Sequence, residues 1–132
     1  MRSILAVLAG LLVAGFVVFV VETIGHTVYP PPAGFDPTTP AGMAAIMGQA
    51  PLGALLFVIA AYACGACAGG ALAARLQPSA PLAHAIAVGA VLTGAGVLNL
   101  LSIPHPMWMT VATIVVFGPA AWLGGRLLDR RG

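Results

Sequence analysis

The segment from Ile4 to Val21 contains no polar side chain, and this constrains the fold more than any other feature of the chain. A helix needs roughly 20 mostly apolar residues to cross a bilayer. Four segments meet that requirement, at about residues 3–24, 52–74, 82–102 and 107–128. We interpret the first as a retained span, because its apolar run exceeds the roughly 7–15 residues of a signal-peptide core. The sequence therefore predicts an all-α, integral membrane bundle of four transmembrane helices, with residues 1–132 forming a single domain.

The composition excludes an ordinary soluble fold. Hydrophobic residues make up 61% of the chain and charged residues 6%, and the mean hydropathy is +1.07. Soluble domains carry about 25% charged residues. A scattered net charge of +2 also gives no basic patch for nucleic acid. The expected partner is the lipid bilayer.

The arginines predict the orientation of the bundle. All five cations are arginine, and they precede span one, follow span two or close span four: Arg2, Arg75, Arg126, Arg130 and Arg131. With four spans these places share one side of the membrane, and cytoplasmic loops and ends are enriched in Lys and Arg. Both termini are therefore predicted to be cytoplasmic.

The first external connection has its own helix signals. It begins with Tyr29-Pro30-Pro31-Pro32, and three consecutive prolines end a helix. Thr39-Pro40 then resembles an N-cap followed by proline at the first helical position. Apolar side chains follow at helical spacing, namely Met43, Ile46, Met47 and Ala50. We expect a short interfacial helix with this face towards lipid or the bundle.

Small residues predict close helix packing. Span two contains Gly65-x-x-x-Gly69, and spans three and four contain further glycines. Such residues let helix backbones approach within a membrane. They favour packing inside the bundle and also permit a homo-oligomer.

Several polar and aromatic side chains fall at one membrane depth on the outer side. Glu22 and His26 are four residues apart at the end of span one, and Tyr29 extends that face if the helix continues. From the other half of the chain come Asn99, His105 and the interfacial Trp108. Asp36, in the first loop, can approach the same place. Ionisable groups in a membrane are costly and therefore suggest function. We expect Glu22, His26, Tyr29, Asn99, His105 and Trp108 to form an outer-facing ligand pocket.

Two other interpretations of these residues stay open. His26, His105 and Glu22 can hold a transition metal, or they can pass protons. A purely structural role is the alternative, in which Glu22 pairs with His26 along the helix and His105 caps span four. No specific ligand spacing such as H-E-x-x-H decides between these interpretations.

Cys64-Gly65-Ala66-Cys67 has the C-x-x-C spacing of thiol-redox proteins. The four-helix vitamin K epoxide reductases need further cysteines to relay electrons, and this chain has only two. Both lie among alanines and glycines in the inner half of span two, where thiols behave as small apolar residues. We therefore expect Cys64 and Cys67 to serve packing.

Two groups of four-helix proteins bear comparison. Small multidrug transporters use a glutamate near the middle of span one, whereas Glu22 lies at its outer end. A closer resemblance covers nearly the whole chain, through Glu22-x-x-Gly25-His26-x-x-Tyr29-Pro30-Pro31-Pro32 and Ile103-Pro104-His105-Pro106-x-Trp108. On these motifs the chain resembles a group of small bacterial four-span membrane proteins. The resemblance implies a four-helix fold in a bacterial inner membrane and supplies no activity.

The leading hypothesis is a non-enzymatic membrane protein that binds a ligand, ion or partner through the outer polar pocket. A membrane-embedded metal-dependent enzyme using the Glu22, His26 and His105 cluster is one alternative. A structural or assembly subunit of a membrane complex is the other.

Overall fold

The computed structural model describes residues 1–129, which form five helices and no strand. The helices are α1 (Arg2–Val28), α2 (Pro40–Gln49), α3 (Leu52–Leu76), α4 (Pro81–Ser102) and α5 (Met107–Leu128). All but α2 are long and apolar enough to cross a membrane. The predicted all-α architecture is thus confirmed, with four helices that are long and apolar enough to span a membrane. Arg130 and Arg131, which contribute to the predicted orientation, lie outside the described residues.

Helix α1 continues one turn beyond the predicted end of span one, and the proline run stops it. The hydroxyls of Thr23 and Thr27 donate to the carbonyls of Phe19 and Thr23, so these polar side chains are satisfied within the helix. Tyr29 ends the helix with φ −125° and ψ 79°. A residue that precedes proline is pushed out of the α region, and Tyr29 precedes Pro30.

Helix α2 begins as the sequence predicts. Thr39 is the N-cap, its hydroxyl oxygen accepts a hydrogen bond from the Gly42 N–H at 3.1 Å, and Pro40 occupies the first helical position. The preceding turn is closed by Asp36, whose Oδ1 accepts from the Thr38 hydroxyl at 2.6 Å and from the Thr38 N–H at 2.9 Å. Gly42 lies directly against the Asp36 carbonyl, where a Cβ would not fit.

Helix α3 is the centre of the bundle, since it packs against α1, α4 and α5. Helix α4 also contacts α1 and α5, whereas α1 and α5 do not touch within residues 1–129. Gly10 lies against Gly69 and Gly25 against Phe57, so α1 and α3 are antiparallel. The Tyr62 ring packs against Phe117 and Gly125 lies near Ala74, so α5 runs parallel to α3.

Backbone contact explains why small residues line the helix interfaces. A Cβ added to Gly69 would lie 2.5 Å from the Gly10 carbonyl oxygen, and one at Gly65 would lie 2.7 Å from the Ala14 carbonyl oxygen. On the opposite side of α3, the Cys67 carbonyl lies directly against Gly124. Most of these glycines therefore serve packing within the chain.

Because the long helices run parallel or antiparallel to one another, their ends gather at two opposite ends of the bundle. The arginine end of the bundle holds Arg2, Arg75 and Arg126. The Glu22 end holds the last turns of α1 and α4, helix α2 and the first turns of α3 and α5. Towards the arginine end α1 touches α4, where a Cβ on Gly10 would lie 2.9 Å from Val88 Cγ2. Towards the Glu22 end the two helices are separated by a cleft.

Candidate ligand-binding cleft

The cleft between α1 and α4 has a volume of about 450 Å³. Helices α1 and α4 form its walls, and side chains of α3 and α5 form its floor. Met47 of α2 and the loop before α5 border it at the Glu22 end. Its lining comprises Gly15, Val18, Glu22, Met47, Val58, Tyr62, Leu92, Ala95, Gly96, Asn99, Ile103, His105, Met109 and Phe117. Small-molecule sites typically measure roughly 300–1,000 Å³. The cleft is therefore large enough for a small organic ligand.

The polar groups of the cleft are concentrated towards one end. Glu22, Asn99 and His105 line it together, although their helices are distant in sequence. The Asn99 side-chain amide donates to the Tyr62 hydroxyl on the floor, at 3.5 Å. Towards the arginine end the lining is apolar. The cleft thus combines a few polar groups with a mostly apolar lining, as small-molecule sites commonly do.

Glu22 is the chemically distinctive residue of the cleft. Its side chain is half-buried and makes no hydrogen bond to any residue of the described part of the chain. His26, one turn later on the same helix, interacts with it electrostatically, but the two form no ion pair within residues 1–129. The carboxylate is therefore open to a partner that residues 1–129 do not provide.

Glu22 also lines a second, smaller cavity of about 100 Å³. The three prolines after α1, the Ile46–Met47 face of α2 and the start of α3 enclose it, together with His26 and Tyr29. The Tyr29 ring packs against Gly53 and makes an edge-to-face contact with Phe57, with ring centroids 6.1 Å apart. The apolar face of α2 therefore points towards the bundle.

The predicted pocket residues are divided between these two cavities. Glu22 belongs to both, Asn99 and His105 border only the cleft, and His26 and Tyr29 border only the smaller cavity. Trp108 borders neither and is 41% exposed on the surface of α5. Among residues 1–129, no three His, Cys, Asp or Glu side chains lie close enough together to hold a metal ion. The metal set of His26, His105 and Glu22 is therefore not assembled.

The expectation that His105 caps the last span is wrong. The N-cap of α5 is Pro106, and no side chain caps this helix. The His105 ring instead turns back on its own loop, where Nδ1 lies 2.6 Å from the Ile103 carbonyl oxygen. Prolines on both sides hold the backbone extended, which places the ring over the loop rather than over the helix N-terminus.

Comparisons of this chain with protein families, curated proteins and solved structures find no match. The side chains of the cleft are therefore the guide to what the protein does.

Tyr62 is the cleft residue that the sequence analysis missed. It lies in the middle of α3, half-buried, with its ring centroid 5.0 Å from that of Phe117. The sequence could have indicated it, because Tyr62 carries the only hydrogen-bonding side chain between Leu52 and Ala63. Buried tyrosines usually place their hydroxyl against a polar partner, which here is Asn99.

The remaining candidates lie away from the cleft. Asp36 is exposed in the first loop, and hydrogen bonds from the Thr38 hydroxyl and then the Thr38 N–H hold the pKa of its carboxyl below the usual range. Cys64 is exposed on the surface of α3, and Cys67 is partly covered by α5; both thiols are free.

Proposed function

We propose that this chain is a small multi-pass membrane protein that binds a small ligand in the cleft between α1 and α4. Glu22 is the principal polar contact, and Asn99, Tyr62 and His105 orient the ligand beside it. The observation that carries this proposal is a half-buried carboxylate without a hydrogen-bonding partner in the described chain, on the wall of a cleft of about 450 Å³. A carboxylate at membrane depth is costly, and such groups usually serve a site.

The proposed setting follows from the distribution of charge. The arginine end faces the cytoplasm, so both termini are cytoplasmic and the cleft opens near the outer surface. Helix α2 lies in the outer interface and covers the end of the cleft. The resemblance to small bacterial four-span proteins supports a bacterial inner membrane as the location.

A homo-oligomer would have to use the small residues that the bundle leaves free. Most glycines of the spans contact another helix of the same chain. Besides Gly15 at the cleft, Gly94 and Gly118 have no neighbouring atom within 4 Å of an added Cβ in the described part. Neither borders the cleft. Ligand binding by a single chain is therefore the simpler proposal.

Native mass spectrometry of the protein, released directly from its membrane into non-ionic detergent, tests the proposal. Gly15 lines the cleft and an added Cβ meets no atom of residues 1–129 within 4 Å, so Gly15→Leu adds an apolar side chain at the cleft without backbone conflict at its Cβ. Gly94→Leu is the matched control, since Gly94 is also an unobstructed helical glycine but lies outside the cleft.

We expect wild type and Gly94→Leu to retain a bound small molecule and Gly15→Leu to lose it. A wild-type spectrum without any bound molecule, or equal retention by both variants, would contradict the proposal.

A further inference from the structure

We infer that the ligand is an amphiphilic cation, with a compact alkylammonium head beside Glu22 and an apolar tail along the cleft. This inference rests on the proposed function and adds the chemical class of the ligand. The observations that carry it are the charge of the cleft, the aromatic rings on its floor and the direction in which its lining becomes apolar.

The charge of the cleft favours a positive head group. Glu22 contributes a carboxylate, and the sequence has no Lys or Arg from Ser3 to Ala74 or from Leu76 to Gly125. Within residues 1–129, no Lys or Arg side chain borders the cleft. His26 interacts electrostatically with Glu22 but forms no ion pair with it within residues 1–129, and His105 Nδ1 lies against the Ile103 carbonyl oxygen, so both leave the carboxylate accessible to a ligand cation. A phosphate, sulfate or carboxylate head would instead be repelled by Glu22.

The floor of the cleft suits an alkylated ammonium rather than a small hydrated ion. Tyr62 and Phe117 both line it, and their rings pack together at 34°. Aromatic rings attract a cation within about 6 Å of the ring centroid, and the attraction is stronger where water is excluded. Apart from Glu22, the lining offers few oxygen ligands, whereas a metal such as Ca²⁺ takes 6–8.

The lining also determines where the tail lies. Gly15 precedes Glu22 by two helical turns, which places it about 10 Å deeper in the bundle at 1.5 Å per residue. Between these depths the walls are apolar, with Val18 on α1 and Leu92 and Gly96 on α4. Gly15 and Ala95 are exposed at the rim. A tail can therefore enter from the lipid side and lie between α1 and α4.

Methionine methyl groups allow a direct test in solution. Met47 and Met109 border the cleft, whereas Met1, Met43 and Met107 do not. The full chain, with ¹³C-labelled methionine methyls, is titrated in maltoside micelles with decyltrimethylammonium. Decanol and decyl sulfate, which carry a neutral and an anionic head, are titrated in parallel.

We expect decyltrimethylammonium to shift the Met47 and Met109 signals saturably and to leave Met107 unchanged. Glu22→Gln keeps the size of the side chain and removes its charge, so it should raise the Kd about tenfold or more, equivalent to ~1.4 kcal/mol or more. Gly15→Leu should weaken binding comparably, and Gly94→Leu should not.

Two results overturn the inference and are distinguishable. If decanol or decyl sulfate binds as tightly, and Gly15→Leu but not Glu22→Gln abolishes the shifts, the cleft binds amphiphiles without selecting cations. In that case the inferred chemical class of the ligand is wrong, and the proposed function stands. If no amphiphile shifts Met47 or Met109 saturably in a protein whose spectrum shows it folded, the inference fails, and the proposed function fails with it only if native mass spectrometry also finds no molecule bound to the wild type.

Discussion

At the scale of single residues, the partial burial of the Glu22 carboxylate is unfavourable, and no hydrogen bond or ion pair within residues 1–129 compensates for it. The carboxylate lies in a helix whose preceding eighteen-residue apolar segment has no polar side chain, and no described residue donates a hydrogen bond to it. Its neighbour Thr23 is satisfied by the Phe19 carbonyl at 2.7 Å. Groups that serve a site are commonly kept at the expense of stability.

Replacing Glu22 by an apolar residue should therefore stabilise the bundle. We expect Glu22→Met to raise the free energy of unfolding by about 1 kcal/mol or more, because it removes a charged group from an apolar setting. Thr23→Met, at the adjacent exposed position, should change it by no more than about 0.5 kcal/mol. Reversible unfolding in mixed micelles measures both. A clear loss of stability in Glu22→Met would mean that Glu22 holds the fold together.

Asp36 provides a second prediction at this scale, in the first loop. The Thr38 hydroxyl and the Thr38 N–H both donate to its carboxylate, so its pKa lies below the usual range. A lowered pKa stabilises the turn at pH values above the unfolded pKa of about 3.9, and that contribution is lost as the pH falls through the lower folded value.

Carboxyl ¹³C titration of Asp36 should give a midpoint below that of an unstructured peptide. Thr38→Val should raise the midpoint. Equal midpoints in wild type and Thr38→Val would mean that the turn does not hold this carboxylate.

At the scale of helices, different residue types determine where the helices end and how closely they pack. Prolines and caps fix the ends, and the bounds of α3, α4 and α5 agree with the predicted spans to within two residues. Span one is longer than the predicted 3–24, because the helix continues through Thr23 and Thr27 to the residue before Tyr29-Pro30. Polar side chains do not end a helix when their hydroxyls bond to its own carbonyls.

The interfaces depend on glycine, and a single methyl group tests them. Gly69→Ala places a Cβ 2.5 Å from the Gly10 carbonyl oxygen, so α1 and α3 must separate. We expect a loss of about 1–3 kcal/mol in the free energy of unfolding, as for other overpacked sites. Gly118→Ala is the control, since its Cβ meets no atom within 4 Å in the described residues and alanine favours the helix.

Gly118→Ala should therefore be neutral or slightly stabilising when both variants are unfolded under the same conditions. Equal stabilities for the two variants would show that α1 and α3 do not approach as closely as described.

At the scale of the whole molecule, the sequence predicts the depth of the polar residues but not their grouping. Glu22, Asn99 and His105 share the cleft because span ends at one side of a membrane lie at one depth. His26, one turn after Glu22 on the same face, borders only the smaller cavity, and no sequence pattern marks where the cleft ends along α1. The contact between α3 and α5 depends on Gly70 and Gly124, each of which lies against the backbone of the other helix. No hydrophobic periodicity predicts which glycines make such contacts.

The orientation of the molecule can be tested by thiol labelling in cells. Cys64 and Cys67 are first replaced by alanine, and single cysteines are introduced at Ala33 or Ser79, both exposed. A membrane-impermeant maleimide should label Ala33→Cys in intact cells and Ser79→Cys only after permeabilisation. The opposite pattern would place the cleft near the cytoplasmic surface.

The central claim is that the cleft between α1 and α4 takes an amphiphile whose head lies beside Glu22. A crystal structure with a decyltrimethylammonium ion that carries bromine on its terminal carbon tests this claim most directly, because anomalous scattering locates the bromine. The account predicts a bromine peak inside the cleft near Gly15 and Leu92, with the ammonium beside the Glu22 carboxylate. A peak on the lipid-facing side of α1, among Leu12, Phe16 and Phe19, with the cleft closed or empty, would contradict it.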